Sequence, residues 1–297
     1  MLSSITRIVM EKRRFIVGDE WLYFKIYSGP VTLEKVLFEV IYRIADDAFR
    51  NKMIGNFHFV RYYDDDHHLR IRFLVNKIDH ILTIINLINE GIGPYVSTNL
   101  VWKVNIDTYE REMERYGGER CIESVENIFT LSSMSLLSAW RTEANILSDQ
   151  DKWLVGIRTM DLILNRFGFD DKRKLAIYNS YFEAYSQEFS LTKPTKETLQ
   201  AKFRTNRSVI EKVMSEESVS LFTFDLEGER KIDFSISTIL DAFFSNLDDA
   251  RLISLIQAVI HMHFNRVFRT KPRESEFVIY YMMTKIYTSR IARNKII

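Results

Sequence analysis

Cysteine is nearly absent from the 297 residues: Cys121 stands alone, which excludes an internal disulfide and any metal cluster built on thiolates. Proline is scarce at 4 and glycine modest at 10, so no long flexible linker divides the chain. Charge of one sign is lacking as well. The 41 basic residues face 40 acidic ones, and a net charge of +1 has none of the basic excess with which proteins grip nucleic-acid phosphates. No apolar run reaches the length of a membrane span and the N-terminus carries no secretory signal, so a soluble, cytoplasmic protein is expected. Phosphate-binding glycine loops, dinucleotide fingerprints and zinc-protease motifs are missing. Ser132-Ser133 has no nucleophile-elbow glycines around it, which leaves hydroxyl nucleophile chemistry unsupported.

Hydrophobic residues, at 46%, are enough for a substantial core. Residues 19–27 read as a first, aromatic-rich strand. Thr32 is placed to cap a helix whose apolar stripe is Leu33, Val36, Leu37, Val40, Ile41 and Ile44. Residues 57–63 and 68–75 read as neighbouring strands joined through Asp64-Asp65-Asp66, a hairpin. A second amphipathic helix over 79–89 is expected to stop at Gly91 and Gly93-Pro94, followed by a strand over 99–106. From 119 onward the pattern is helical, with helices expected at 119–146, 150–167, 171–189, 195–215, 235–246, 251–265 and 274–293, and a small hairpin within 221–232. Strands first and helices later predict an α+β fold. A mostly antiparallel sheet with flanking helices (1–118) packs on a largely helical half (119–297), the whole forming one domain.

The strand His68-Leu69-Arg70-Ile71-Arg72-Phe73 carries the chemistry. Alternate side chains point to opposite faces, so His68, Arg70 and Arg72 line one side and Leu69, Ile71 and Phe73 the other. Two guanidinium groups and an imidazole on a rigid backing suit carboxylates. The segment Tyr109-Glu110-Arg111-Glu112-Met113-Glu114-Arg115-Tyr116-Gly117-Gly118 follows a strand of the same sheet. A solvated connector is its plain reading, yet the tyrosines and the Gly-Gly stop point to a shaped loop. Arg115 then becomes a third cation for the same anion, oriented by Glu110 or Glu114. Near the C-terminus Ser254, Gln257, His261 and Asn265 form a polar stripe on an otherwise apolar helix, and His263 lies off it. By itself, His261 reads as a structural hydrogen-bonder. Asp64-Asp65-Asp66-His67-His68 reads as a solvated turn ahead of a metal site, because neighbours in one turn seldom converge on one ion. No metal or other cofactor is expected, and Cys121 reads as a small buried hydrophobe.

These stretches resemble, in order, the C-terminal glutamate-elimination domain of lantibiotic dehydratases, whose stand-alone members are called thiopeptide-type bacteriocin biosynthesis proteins. The resemblance starts at Trp21-Leu22-Tyr23-Phe24-Lys25-Ile26-Tyr27. It continues through Phe59-Val60-Arg61-Tyr62, the His68 strand and the 109–118 segment to His261-Met262-His263-Phe264-Asn265-Arg266. In that family a glutamyl group from glutamyl-tRNA is first attached to Ser or Thr of a precursor peptide. The elimination domain then expels glutamate, leaving dehydroalanine or dehydrobutyrine.

The resemblance implies a carbon–oxygen lyase. Arg70, Arg72 and Arg115 would hold the glutamyl carboxylates, Arg72 and Arg115 would also stabilise developing charge, and His261 would transfer the proton. His68, Tyr109, Glu110 and Asn265 stand as supporting residues. It also implies a glutamylated precursor peptide as substrate, a large tRNA-dependent glutamylating partner in a split system, no direct nucleic-acid contact, and a homodimer. One departure is local: the family often has Asp-Ser where Ser132-Ser133 stands, which removes an expected carboxylate. Two other readings remain open. One is a pyridine synthase joining two dehydroalanines by a formal aza-cycloaddition, which has no need of a glutamate-holding arginine set. The other is a non-catalytic subunit that binds leader peptide or scaffolds the large partner.

Overall fold

The computed structural model describes residues 11–140, 149–215 and 236–294. The short strand β1 (Arg14–Phe15) precedes β2 (Trp21–Ser28), whose residues are almost all buried. A helical run follows: α1 (Pro30–Val36), a π-helical turn (Leu37–Ile41) and α2 (Tyr42–Arg50). Next come the hairpin strands β3 (Ile54–Tyr63) and β4 (His67–Val75), helix α3 (Asp79–Ser97), and the strands β5 (Val101–Asp107) and β6 (Tyr109–Glu110). The remaining elements are helices: α4 (Ile122–Trp140), α5 (Asp149–Arg166), α6 (Asp171–Glu188), α7 (Lys193–Ser215), α8 (Ile236–Asn246), α9 (Asp249–Val267) and α10 (Pro272–Asn294). The α+β class expected from sequence is therefore observed. The hairpin expected within 221–232 lies outside the described residues.

The main sheet is antiparallel with strand order β3-β4-β2-β5, while β1 pairs with β6. In register, Arg72 lies opposite Tyr23 and His58, Arg70 opposite Lys25 and Val60, and His68 opposite Tyr27 and Tyr62. Leu69, Ile71 and Phe73 point the other way and are fully buried with Phe24, Phe57 and Phe59 in the principal core. Each such side chain contributes about 1.5–3 kcal/mol. The same core cluster continues into α4, α9 and α10.

Helix α4 closes the sheet at β3. The backbone N–H groups of Phe57 and Phe59 donate to Thr130 Oγ1 and Ser133 Oγ, each at 3.3 Å. Side-chain hydroxyls thereby satisfy strand-edge donors that would otherwise be buried and unpaired. Asp170 and Asp248 cap α6 and α9 by accepting from the backbone N–H groups of Arg173 and Arg251, each at 2.8 Å.

Two local expectations are corrected. Thr32 is not the first cap: Gly29 occupies that position and Pro30 starts the helix, where its missing N–H costs nothing. Helix α3 does not stop at Gly91 but runs through Gly93 and Pro94 to Ser97. Gly91 serves packing, since a Cβ there would lie 2.4 Å from Val40 Cγ1. Among the described residues no helix is long and apolar enough to cross a membrane.

Candidate functional site: a cation row and a histidine–glutamate pair

Arg72 is held by rings rather than by acids. Its guanidinium carbon lies 4.3 Å from the Tyr23 ring centre and 4.7 Å from that of Tyr109. Its Nε is buried without a hydrogen-bond partner, and among the described residues no carboxylate pairs with Arg72. The nearby acid is already committed. Glu126 accepts the Tyr109 hydroxyl at 2.8 Å and a two-pronged contact from Arg111, Nε at 2.8 Å and Nη2 at 2.6 Å. Burial raises the Glu126 pKa, while the Arg111 hydrogen bonds and charge and the Tyr109 hydrogen bond pull it down.

A second unpaired cation lies behind the first. Arg266, at the end of α9, is fully buried. It donates from Nε to Ser133 Oγ at 3.1 Å and from Nη1 to the Met262 carbonyl at 2.7 Å, while Nη2 has no partner. Its guanidinium carbon sits 4.6 Å from the Phe129 ring centre. Burial pushes its pKa down to about 9, with the charge of Arg72 adding to the shift, so it is still cationic at neutral pH. Between them, burial first and then Arg72, Arg266 and Arg111, they hold His58 well below the ordinary imidazole range, as a neutral ring.

Arg70 shares the face of Arg72, its guanidinium 3.4 Å from the Tyr62 ring centre. Its Nε donates to His68 Nε2 at 3.1 Å, and His68 Nδ1 lies 3.0 Å from the Asp66 carbonyl. That pair of contacts defines a neutral His68 with its proton on Nδ1. Burial lowers its pKa in keeping with that state. His68 thus orients Arg70. His68 also lines a cleft with Tyr62, His67, Phe268 and Arg269. Among the described residues, no three His, Cys, Asp or Glu side chains are grouped to hold a metal ion.

Arg115 has different neighbours. Its Nη1 donates to Glu112 at 3.1 Å, and its guanidinium lies 5.5 Å from the Tyr116 ring centre. The orienting acids expected from sequence are elsewhere. Glu114 takes Arg13 at 2.6 Å, and Glu110 takes Arg13 at 3.1 Å and Arg14 at 3.3 Å. The β1–β6 pairing aligns Arg14 with Glu110 and draws these acids away, so neither of them orients Arg115. Gly117 and Gly118, at φ +83° and +87°, turn the chain in the left-handed region open to glycine. Arg115 then lines a cleft with Gly117, Gly118, Arg251 and Ser254.

His261 has hydrogen-bond partners on both ring nitrogens. Nδ1 lies 3.0 Å from Glu276 Oε2, and Asn265 Nδ2 lies 3.0 Å from Nε2. Glu276 also accepts the hydroxyls of Tyr185 at 3.0 Å and Tyr280 at 2.6 Å. Tyr181 stacks on Tyr280 with ring centres 4.6 Å apart, and it feels both Glu276 and Arg115. By contrast His263 is fully buried, bonded to Gly156 O and Ser132 Oγ at 2.9 Å each, and burial drives its pKa down to about 3. Ser132 and Ser133 are thus structural hydrogen-bonding groups. Cys121 is a buried thiol.

Tyrosines connect the surroundings of the four principal residues. Arg70 and Arg72 flank Tyr23, while Arg72, Arg266 and Arg115 all act on Tyr116. Tyr181 then links Arg115 to the Glu276–His261 pair. Tyr109 lies against Arg72, and Asn265 against His261. Sequence reading did not single out Arg266, Glu276, Glu126 or Tyr116. A usable signal existed for Glu276, an acid set directly against the apolar run Phe277-Val278-Ile279-Tyr280.

A family model described as the C-terminal part of lantibiotic biosynthesis dehydratases matches residues 21–287. Nisin biosynthesis protein NisB of Lactococcus lactis subsp. lactis is 24% identical over 287 residues, 95% of this chain and 27% of NisB. Subtilin biosynthesis protein SpaB of Bacillus subtilis is 23% identical over 278 residues, 92% of this chain and 26% of SpaB. The chain therefore spans about a quarter of the length of these relatives. Among solved structures, the tRNA-dependent lantibiotic dehydratase MibB from Microbispora sp. 107891 matches with a TM-score of 0.60 at 17% identity, over 94% of this chain and 29% of MibB. The pyridine synthase TbtD from thiomuracin biosynthesis matches with a TM-score of 0.59 at 12% identity, over 91% of this chain and 99% of TbtD. At such identities the structural matches establish the fold alone. With the family model covering both the cation-bearing sheet and the histidine-bearing helix, the chain belongs to the lantibiotic biosynthesis dehydratase C-terminal family.

Proposed function

We propose that the chain acts in lanthipeptide or thiopeptide biosynthesis as a carbon–oxygen lyase that eliminates glutamate from glutamylated Ser or Thr of a precursor peptide. The observation that carries this reading is the missing counter-ion at Arg72 and Arg266. Both guanidinium groups are set in a low-dielectric, ring-lined wall, and neither pairs with a carboxylate among the described residues. Like charges packed this way raise the local potential for an anion, and a bound carboxylate relieves it.

The chemistry follows from the bonds involved. Base attack at Cα removes the proton, the C–H electron pair becomes the Cα=Cβ bond, and the Cβ–O pair departs with glutamate. A carboxylate leaves as an anion without needing a proton, so the reaction asks for a base at Cα and for cations elsewhere. An imidazole suits the first role, and His261 fills it. Negative charge develops on the peptide carbonyl and on the leaving carboxylate. Arg70, Arg72 and Arg115 hold the glutamyl group and stabilise that charge, as fixed donors do in an oxyanion hole. Guanidinium groups stay protonated and serve as clamps rather than bases. A separate glutamylating activity, in the form of a large tRNA-dependent partner, supplies the substrate.

The test is direct. Purified protein is given a synthetically glutamylated precursor peptide without tRNA, and mass is followed. Loss of glutamate with appearance of a dehydro residue supports the lyase. Unchanged peptide, from folded protein shown to bind it, overturns the reading in favour of a binding subunit. Cyclisation of a peptide that already carries dehydroalanines would mark a pyridine synthase instead.

A further inference from the structure

Glu276 is a fully buried carboxylate in α10, and no Lys or Arg hydrogen-bonds to it among the described residues. Placing an ionised acid there costs several kcal/mol unless its lone pairs are used. Oε2 receives three groups from three helices: Tyr185 of α6, His261 of α9 and Tyr280 of α10 itself. Oε1 receives none. If stapling the helices were its whole purpose, a neutral glutamine would serve, because an amide oxygen accepts the same tyrosine hydroxyls without the burial penalty of a charge.

A carboxylate does one thing an amide does not. It is acceptor-only, so the imidazole nitrogen facing it must carry the proton. We infer that Glu276 is a positioning residue for His261: it holds the ring proton on Nδ1 and leaves Nε2, covered by the Asn265 amide, as the nitrogen that exchanges a proton with the substrate. The inference rests on the proposed proton-transfer role of His261.

Exposure supports the division of labour. The His261 side chain is 19% exposed and Glu276 is 0% exposed, so the imidazole alone of the pair reaches incoming substrate. In the resting ring, the Nε2 lone pair accepts from Asn265 Nδ2. When the Cα proton arrives on Nε2, the ring becomes an imidazolium facing the Glu276 carboxylate across Nδ1. Asn265 then presents Oδ1 by a half-turn of its amide, so both nitrogens stay bonded in both states. The electron balance is that of the elimination itself, and Glu276 neither gains nor loses a proton.

The test uses Glu276→Gln and Glu276→Asp in the full chain, with two readouts. On glutamylated peptide, Glu276→Gln is expected to lower kcat at least about 10-fold with KM little changed, because a general base is worth about 10²–10⁴-fold and only its orientation is lost. Glu276→Asp should recover part of that loss. Nitrogen-15 NMR of the imidazole should show the Nδ1–H tautomer in the unmodified protein and a shift toward Nε2–H in Glu276→Gln. Wild-type kcat together with an unchanged tautomer in Glu276→Gln overturns the inference and leaves a structural staple. Should Glu276→Gln fail to fold, an Nε2–H tautomer in the unmodified protein overturns it equally. Should the unmodified protein itself fail to eliminate glutamate, the lyase reading falls, while the tautomer measurement still decides whether Glu276 sets the ring.

Discussion

Arg72 owes its readiness for an anion to what surrounds it: two tyrosine faces, one orphaned Nε and a second guanidinium that also lacks a counter-charge. Rings hold the guanidinium by its plane, a constraint that an ammonium group does not reproduce. Arg72→Lys is therefore expected to keep the fold and lower the elimination rate about 10²-fold or more, with glutamylated peptide accumulating in the mass spectrum. Arg266 tests the same physics from the stability side. Replacing a buried, unpaired charge by an apolar chain of similar length removes its desolvation cost, so Arg266→Met is expected to leave Tm unchanged or raise it. Elimination should nonetheless slow, because the potential behind Arg72 falls. A large loss of Tm in Arg266→Met would show that the Ser133 and Met262 contacts outweigh the buried charge.

At the scale of elements, the sheet depends on contacts that close its edges and seat its helices. Thr130→Val leaves the Phe57 N–H buried without its acceptor, and a loss of about 1–3 kcal/mol is expected in urea unfolding. Gly91 marks the close approach of α3 to the π-helical turn. Gly91→Ala drives a methyl to within 2.4 Å of Val40 Cγ1, an overpacking expected to cost about 1–3 kcal/mol. Val40→Ala in the same molecule should recover much of it, and a double-mutant cycle measures the coupling. This contact also explains why the end of α3 was not legible. Gly-Ile-Gly-Pro carries the local signature of a helix stop, and packing against Val40 overrides it. Hairpin β3–β4 was legible because a period of two and an acidic turn are local properties.

For the molecule as a whole, the buried histidines set an acid limit. His263 has a folded-state pKa of about 3 against about 6.5 when unfolded, and His58 is shifted in the same direction, both chiefly by burial. Between those values the unfolded chain binds more protons than the folded one. The stability is thus fully present above about pH 6.5 and is lost as pH falls toward 3. By pH 4.5 His263 alone accounts for about 2–3 kcal/mol. Chemical denaturation at pH 7 and pH 4.5 should show that difference, and the His263 ring proton resonance should not move above pH 5.

The sequence by itself determined the site's floor. Strand geometry puts His68, Arg70 and Arg72 on one face whatever lies around them, and the ordered motifs from Trp21 to Arg266 pointed to the family. Helical spacing likewise put His261 and Asn265 together, since residues four apart share a face. Only the tertiary structure decided which charges are satisfied. Glu110 and Glu114 go to Arg13, and Glu126 goes to Arg111 and Tyr109, so no acid is left for Arg72 or Arg266 among the described residues. Glu276 meets His261 from the neighbouring helix. The physical reason is the same in each case. Periodicity along one element is fixed by backbone geometry, whereas the pairing of charges is a competition among partners brought close only by the packed fold.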